Sequence, residues 1–266
     1  MPSSNSVQGE RDAQPNSLDP VKAAGAVDIK PPAVHPLQML LNIAAPKSVV
    51  RAIRLDKNDE AALRALQRHD PFLLPEFLAR AVLRRKVDYI AGRYCARAAL
   101  RELDVSIVDP IVATGAHREP LWPAGTLGSI AHTSGYAMAI VGPRSTTAGL
   151  GIDVERWLAG PASAGVGRSV ATPEEIAQLV ATHGWSAGEV VTLVFSAKES
   201  LFKCLYPLVR EYFHFKDAVV CADLQRPDGF IATLLRPVGS FAAQARFKGS
   251  FECLDDAIVT AMCHPF

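Results

Sequence analysis

Residues 127–132 and 136–141 are two apolar-rich runs separated only by Thr133-Ser134-Gly135, and a third run, 150–155, follows closely. The first two read as the strands of a hairpin, with the third strand next in line. Ahead of them, residues 75–103 predict one long helix: Pro75 suits a first turn, and Leu78, Val82, Ile90 and Tyr94 recur at helical spacing. Behind them, Thr172-Pro173-Glu174-Glu175 supplies a capping threonine, a first-turn proline and a glutamate three residues after the cap, which starts a helix running to about Gly184. A further helix is expected over 196–206, stopped by Pro207, and strands over 218–222, 230–235 and 257–262. This mixture lacks a regular β-α-β alternation, so the expected class is α+β rather than a doubly wound sheet. No repeat is visible by identity, yet each half holds a helix followed by antiparallel strands, which hints at two similar lobes.

The chain has 266 residues, 49% of them hydrophobic, enough to bury a sizeable core in one large or two modest domains. Residues 1–36 are rich in Ser, Asn, Gln and Pro and end in Pro31, Pro32 and Pro36; they are expected to be a flexible tail with no catalytic role. The opening MPSSNSVQGERDAQPNSLDP lacks the apolar core of a secretory signal, and no apolar run reaches the roughly 18 residues of a bilayer span. The five cysteines form no C-x-x-C pair and have no histidine cluster at zinc-ligand spacing, so they read as reduced thiols of a cytoplasmic protein. With 28 basic against 27 acidic residues, no global field draws the chain to nucleic acid or anionic lipid. Any basic site must be local.

One local site suggests itself. Arg80, Arg84, Arg85, Lys86, Arg93, Arg97 and Arg101 crowd the predicted long helix, with Arg93, Arg97 and Arg101 four apart on one face. By charge alone this is equally a solvated helix surface. Three further constellations could carry chemistry. In Gly151-Ile152-Asp153-Val154-Glu155, a strand would project Asp153 and Glu155 together and turn Ile152 and Val154 to the core. Paired carboxylates repel unless a proton or cation joins them, and hard oxygen donors so arranged suit Mg²⁺; an ordinary half-exposed strand has the same pattern. In Phe195-Ser196-Ala197-Lys198-Glu199-Ser200-Leu201-Phe202-Lys203, Glu199 and Lys203 lie one helical turn apart, although Ser196-x-x-Glu199 also matches a capping box. His132 ends a strand in Ser129-Ile130-Ala131-His132-Thr133, where it is either a turn residue satisfied by hydrogen bonds or a ligand contact.

The order AGRYCARAAL, REPLWP, SIAHT, GIDVE, FSAKESLFK and then YP resembles the phosphopantetheinyl transferases of the enterobactin synthase component D type, relatives of the surfactin-type transferases. The likeness runs from about residue 50 to the end, and REYFHFKDAVV strengthens it. The resemblance implies transfer of 4'-phosphopantetheine from coenzyme A to a serine of an apo acyl, peptidyl or aryl carrier protein, as in siderophore or nonribosomal peptide synthesis, with release of adenosine 3',5'-bisphosphate. It implies Mg²⁺, with Mn²⁺ as a substitute, held by Asp153, Glu155 and Glu199. Glu199 would be general base, Lys203 would contact the coenzyme A phosphates and support the leaving group, and Arg118, His132 and an arginine of the long helix, Arg84 or Arg93, would bind coenzyme A. Ala131 stands where many members carry serine, so a hydroxyl contact would have to come from Ser129 or Thr133. The implied architecture is a flexible tail over 1–45 and two similar lobes over 46–150 and 151–266, related by a pseudo-two-fold with the active site in the cleft between them, in a monomer. Two other functions fit some of the same residues: a coenzyme A or carrier-binding module without catalysis, and a Mg²⁺-dependent phosphodiesterase or nuclease. Clustered carboxylates argue against the first, balanced charge against the second.

Overall fold

A computed structural model describes residues 47–54, 60–69, 74–103 and 110–266; the expected tail over 1–45 lies outside them. The chain runs β1 (Val49–Arg54), α1 (Glu60–His69), a 3₁₀ turn (Glu76–Leu78), α2 (Leu83–Leu103), β2 (Ala113–Thr114), β3 (Pro120–Leu121), β4 (Thr126–Thr133), β5 (Tyr136–Pro143) and β6 (Thr147–Arg156). It continues through α3 (Gly160–Val170), α4 (Pro173–His183), α5 (Ala187–Val209), a second 3₁₀ turn (Phe215–Asp217), β7 (Ala218–Ala222), β8 (Gly229–Leu234), β9 (Arg246–Cys253) and β10 (Ala257–Pro265). The class is α+β, and the described sheets are antiparallel: β1-β5-β4, β6-β10-β9-β8-β7 and the small pair β2-β3.

The hairpin forms where expected. Thr133 pairs with Tyr136, leaving Ser134-Gly135 as the loop, and Gly135 takes φ 87°, which a side chain would strain. One face of this sheet packs on α2, joining Ile53, Ala137, Ala139 and Val141 to Val87, Ile90, Ala91, Cys95, Ala96, Ala99 and Leu100. Its other face meets the second sheet through Met138 and Ile140 against Ile152, Val154 and Val259. The five-stranded sheet buries its remaining face under α5, whose Val190, Leu193, Val194, Ala197 and Leu201 join Val220, Phe230 and Ile258.

Three expectations about helices are corrected. The long helix begins at Leu83, not Pro75: Leu78 is buried in a separate 3₁₀ turn while Val82 is 72% exposed, so the two do not share a helical face. The last long helix begins at Ala187, nine residues before Ser196. Its cap is the box of Ser186 with Glu189, so Ser196-x-x-Glu199 is not a cap. Pro207 does not stop it either, since it sits in the final turn and the helix runs on to Val209. The α4 start is as expected, with Thr172 and Glu175 exchanging both capping bonds and Gly184 left-handed at the end. β1, α1, β2, β3, α3 and β9 were not anticipated.

Beneath α5 lies a buried ion pair. Lys198 Nζ is 2.9 Å from Glu175 Oε1 and donates to the Val170 carbonyl at 2.7 Å, while Glu175 also accepts from the Val220 amide. Both residues are about 3% exposed, and burial lowers the Lys198 pKa. Removing one partner strands the other charge in the core, which costs about 3–5 kcal/mol. Glu175→Gln and Lys198→Met are each expected to lose that much in urea unfolding, and Glu175→Leu combined with Lys198→Met is expected to lose less than either alone.

Candidate functional site

The helix α5 can approach β6 closely because two glycines leave room for it. A Cβ on Gly151 would run into the Ser200 carbonyl, and one on Gly149 would sit 2.5 Å from the Cys204 carbonyl. The roll of the helix is set by a buried hydroxyl network: Ser196 Oγ and Ser200 Oγ lie 2.9 and 2.7 Å from Thr260 Oγ1, and Thr260 stands opposite Asp153 in the β6–β10 register. All three hydroxyls are 0% exposed, so each bond offsets a desolvation that would otherwise be uncompensated.

This docking brings Lys203 to Asp153. The strand alternates as expected, with Ile152 and Val154 in the core and Asp153 on the helix side. Lys203 Nζ donates to Asp153 Oδ1 at 2.6 Å and to the Ile152 carbonyl at 3.3 Å. Asp153 is only 4% exposed, and its Oδ2 is buried without a hydrogen-bond partner. Burial, then the charge of Asp153, then that of Glu199 push the Glu155 carboxyl up to about 7, against the lowering influence of Lys203 and the Thr133 hydroxyl. Burial likewise raises Glu199, with Lys203 opposing and Asp153 adding to the effect. Three carboxylates thus share one neighbourhood with a single lysine. Among the described residues no three acidic, histidine or cysteine side chains close around one point as a finished metal cage. An orphaned carboxylate oxygen among mutually repelling acids nevertheless fits a hard cation that draws its remaining ligands from water or substrate.

Of the residues expected to contact coenzyme A, Arg84, Arg93, Arg118 and His132 gather elsewhere, around a cleft of about 480 Å³ that Arg85 also lines, while Lys203 lies outside it. His132 is half exposed there, with Nδ1 3.7 Å from Asp88 Oδ2. Arg118, at φ 66°, stacks over Phe77. The basic helix face is not uniformly solvated: Arg84 and Arg85 are exposed, but Arg93 is buried. Arg93 donates to Thr114 Oγ1 at 3.1 Å and lies over the Tyr89 ring at 4.8 Å, while its Nε has no hydrogen-bond partner. Burial lowers its pKa.

A second cavity of about 400 Å³ is bordered by Lys203. Arg118, Pro120 and Ile130 line both, and Ser129, Phe202, Tyr206 and Arg210 border the second. A smaller cavity of about 230 Å³ beside Glu199 is walled by Phe202, Tyr212, Phe213 and Phe215.

Both stand-ins for a serine at 131 already have partners, although Ser129, as an acceptor, keeps its own O–H to donate. Ala131 is buried in the core between the sheets, Ser129 accepts from the Ile152 amide at 3.1 Å, and Thr133 is turned to Glu155. Phe77 and Tyr89 also line the arginine cleft and were not among the expected site residues. Tyr89 lies four residues before Arg93, a helical spacing that could have marked the pair.

Two family models match the chain: the 4'-phosphopantetheinyl transferase N-terminal domain over residues 74–142 and the 4'-phosphopantetheinyl transferase superfamily over 149–258. It is 35% identical over 206 residues to the 4'-phosphopantetheinyl transferase Svp of Streptomyces mobaraensis, covering 71% of this chain and 78% of that one. It is 37% identical over 148 residues to the 4'-phosphopantetheinyl transferase PptT of Mycobacterium tuberculosis, covering 54% and 63%. With the enterobactin synthase component D of Escherichia coli strain K12 it shares 37% over 136 residues, covering 50% and 62%. The chain therefore spans less than two thirds of the length of several curated relatives it matches.

The raised Glu155 pKa has a signed consequence for metal-free protein. An unfolded glutamate titrates near 4.3, so the folded state binds the extra proton between that value and about 7. The stability this confers is complete below about pH 4 and is lost as pH rises through about 7. In chelator-treated protein, Glu155→Gln is expected to flatten the fall in Tm over this window, raising Tm relative to the parent above about pH 8 but not below about pH 5.

Proposed function

The chain belongs to the 4'-phosphopantetheinyl transferases, and from that membership we propose that it transfers the 4'-phosphopantetheine of coenzyme A to a serine hydroxyl of an apo carrier protein. The observation that carries this reading is a pair of cavities that share Arg118, Pro120 and Ile130 in their linings, the arginine cleft and a second one bordered by Lys203, which pairs with Asp153. A ligand with a phosphorylated nucleoside at one end and a reactive pyrophosphate further along suits such a pair. In this reading Arg84, Arg93, Arg118 and His132 hold the nucleotide phosphates of coenzyme A. Lys203, between Asp153 and the second cavity, stabilises charge on the departing adenosine 3',5'-bisphosphate.

Asp153, Glu155 and Glu199 would hold Mg²⁺, or Mn²⁺ in its place, which supplies neutralisation of the pyrophosphate charge when bound. Glu199 acts as general base toward the carrier serine, its raised pKa bringing it closer to the range where a carboxylate accepts a proton effectively. The carrier approaches beside the cavities as an acyl, peptidyl or aryl carrier, and the likeness to enterobactin synthase component D favours siderophore or other nonribosomal peptide synthesis. The two halves, 46–150 and 151–266, each set a long helix on an antiparallel sheet. We read them as lobes related by a pseudo-two-fold with the site in their cleft, and the protein as a cytoplasmic monomer. No helix of the described residues is long and apolar enough to cross a membrane.

Incubation with coenzyme A, Mg²⁺ and a panel of apo carriers, read by intact mass, tests the assignment. The expected result is gain of one phosphopantetheine, abolished by chelation and slowed about 10²-fold or more in Glu199→Ala. No gain on any carrier by a folded protein that binds coenzyme A would replace transfer with binding alone. In the same assay, His132→Ala and Arg118→Ala are each expected to raise KM for coenzyme A about tenfold or more, the worth of one hydrogen bond to a charged group. An unchanged KM in both would remove these residues from the coenzyme A site.

A further inference from the structure

Both sheets meet at one carboxylate outside the residues already assigned. Asp256 lies in the turn that leads into β10. Its Oδ1 accepts from the hydroxyl of Tyr136, the first residue of β5, at 2.6 Å. Its Oδ2 accepts from Arg156, the last residue of β6, at 2.7 Å, and from Arg54, the last residue of β1, at 3.1 Å. Arg54 also lies over the Tyr136 ring, 5.3 Å from its centroid. Tyr136 is 4% exposed and belongs to the core between the sheets, so it is a rigid lever rather than a loose surface group.

We propose that Asp256 is a positioning residue for phosphopantetheine transfer, clamping the β4–β5 hairpin that carries His132 onto the end of the β6 strand that carries Asp153 and Glu155. The proposal rests on the transferase reading above. The hairpin is fastened near its base by Ser129 Oγ on the Ile152 amide. Near its tip, Thr133 is turned to Glu155 and Tyr136 is held by Asp256. Without the Asp256 contacts the tip pivots about the Ser129 attachment, and His132 moves relative to the acids of β6. Coenzyme A would then be gripped at its nucleotide end by one body and at its pyrophosphate by another. Misplacement of a reacting centre by about 1 Å costs up to about 10²-fold in rate.

Asp256→Asn keeps an acceptor for Tyr136 but removes the charge that holds two arginines, and Tyr136→Phe removes the hairpin's own bond. Arg226→Gln, which breaks bonds to Asp228 and Ser250 within the second sheet, controls for general loss of stability. Three quantities are measured on the full chain: kcat and KM for coenzyme A by carrier mass, the half-saturating Mg²⁺ concentration, and amide hydrogen exchange over residues 126–143 without ligands. Asp256→Asn is expected to lose about tenfold or more in kcat, to raise the Mg²⁺ midpoint severalfold and to speed exchange in the hairpin. Tyr136→Phe should move all three in the same direction by less, and Arg226→Gln should leave them within about twofold. If Asp256→Asn does not fold, Tyr136→Phe decides alone. Parental exchange in the folded variants overturns the clamp, and faster exchange with parental kcat and Mg²⁺ midpoint overturns its role in transfer. A parent protein that modifies no carrier overturns the transferase reading, and the role in transfer with it, while the exchange result still judges the clamp.

Discussion

The close approach of α5 to β6 is set by backbone against backbone. Gly149 and Gly151 lie against the carbonyls of Cys204 and Ser200, where any Cβ would force the helix away. Ser196, Ser200 and Thr260 then fix the rotation of the helix about its axis through bonds that have no competitor in water. Because the helix lies so close, a side chain leaving its flank reaches the strand directly, and Lys203 meets Asp153 at 2.6 Å. A larger residue at 151 would separate these groups before it altered any of them.

That closeness creates an electrostatic imbalance which the protein alone does not resolve. Lys203 pairs with one carboxylate, and burial above all, with the charge of Asp153 adding to it, raises the pKa values of Glu155 and Glu199. A proton can relieve the repulsion at low pH, and a cation can relieve it at neutral pH. The three acids do not close a cage by themselves. Mg²⁺ commonly takes one or two carboxylates with waters and phosphate oxygens, so an open arrangement suits an ion shared with a phosphorylated ligand better than one stored permanently.

The parts of this arrangement that follow short periods were legible in the sequence. Alternation in GIDVE assigned Asp153 to one side and Ile152 and Val154 to the other, and the hairpin was readable because Gly135 and its neighbours allow little else. The ends of helices were less so. Ser196-x-x-Glu199 has the form of a capping box, but local pattern cannot register that Ser196 is needed against Thr260, a contact across more than sixty positions. The helix start at Leu83 escaped for a related reason, since Leu78 and Val82 have similar polarity and only tertiary packing decides that one is buried and the other is not. The same limit hid Asp256, whose partners come from three other elements and share no spacing with it.

The basic helix face was ambiguous by charge alone because its arginines do different physical work. Arg84 and Arg85 keep their hydration and act at a distance, so their pull on an anion weakens with salt over a Debye length of about 8 Å. Arg93 has already lost most of its water, is stacked on Tyr89 and holds Thr114, and retains one buried Nε without a partner. A desolvated guanidinium interacts with an incoming anion in a medium of low effective dielectric, where each contact is stronger and barely screened. In the proposed transfer, the exposed arginines would govern how fast the polyanion is captured, and Arg93 the orientation in which it comes to rest. A chain of net charge +1 can thus present a cationic cleft, because Arg84, Arg85, Arg93 and Arg118 line it together and differ there in burial.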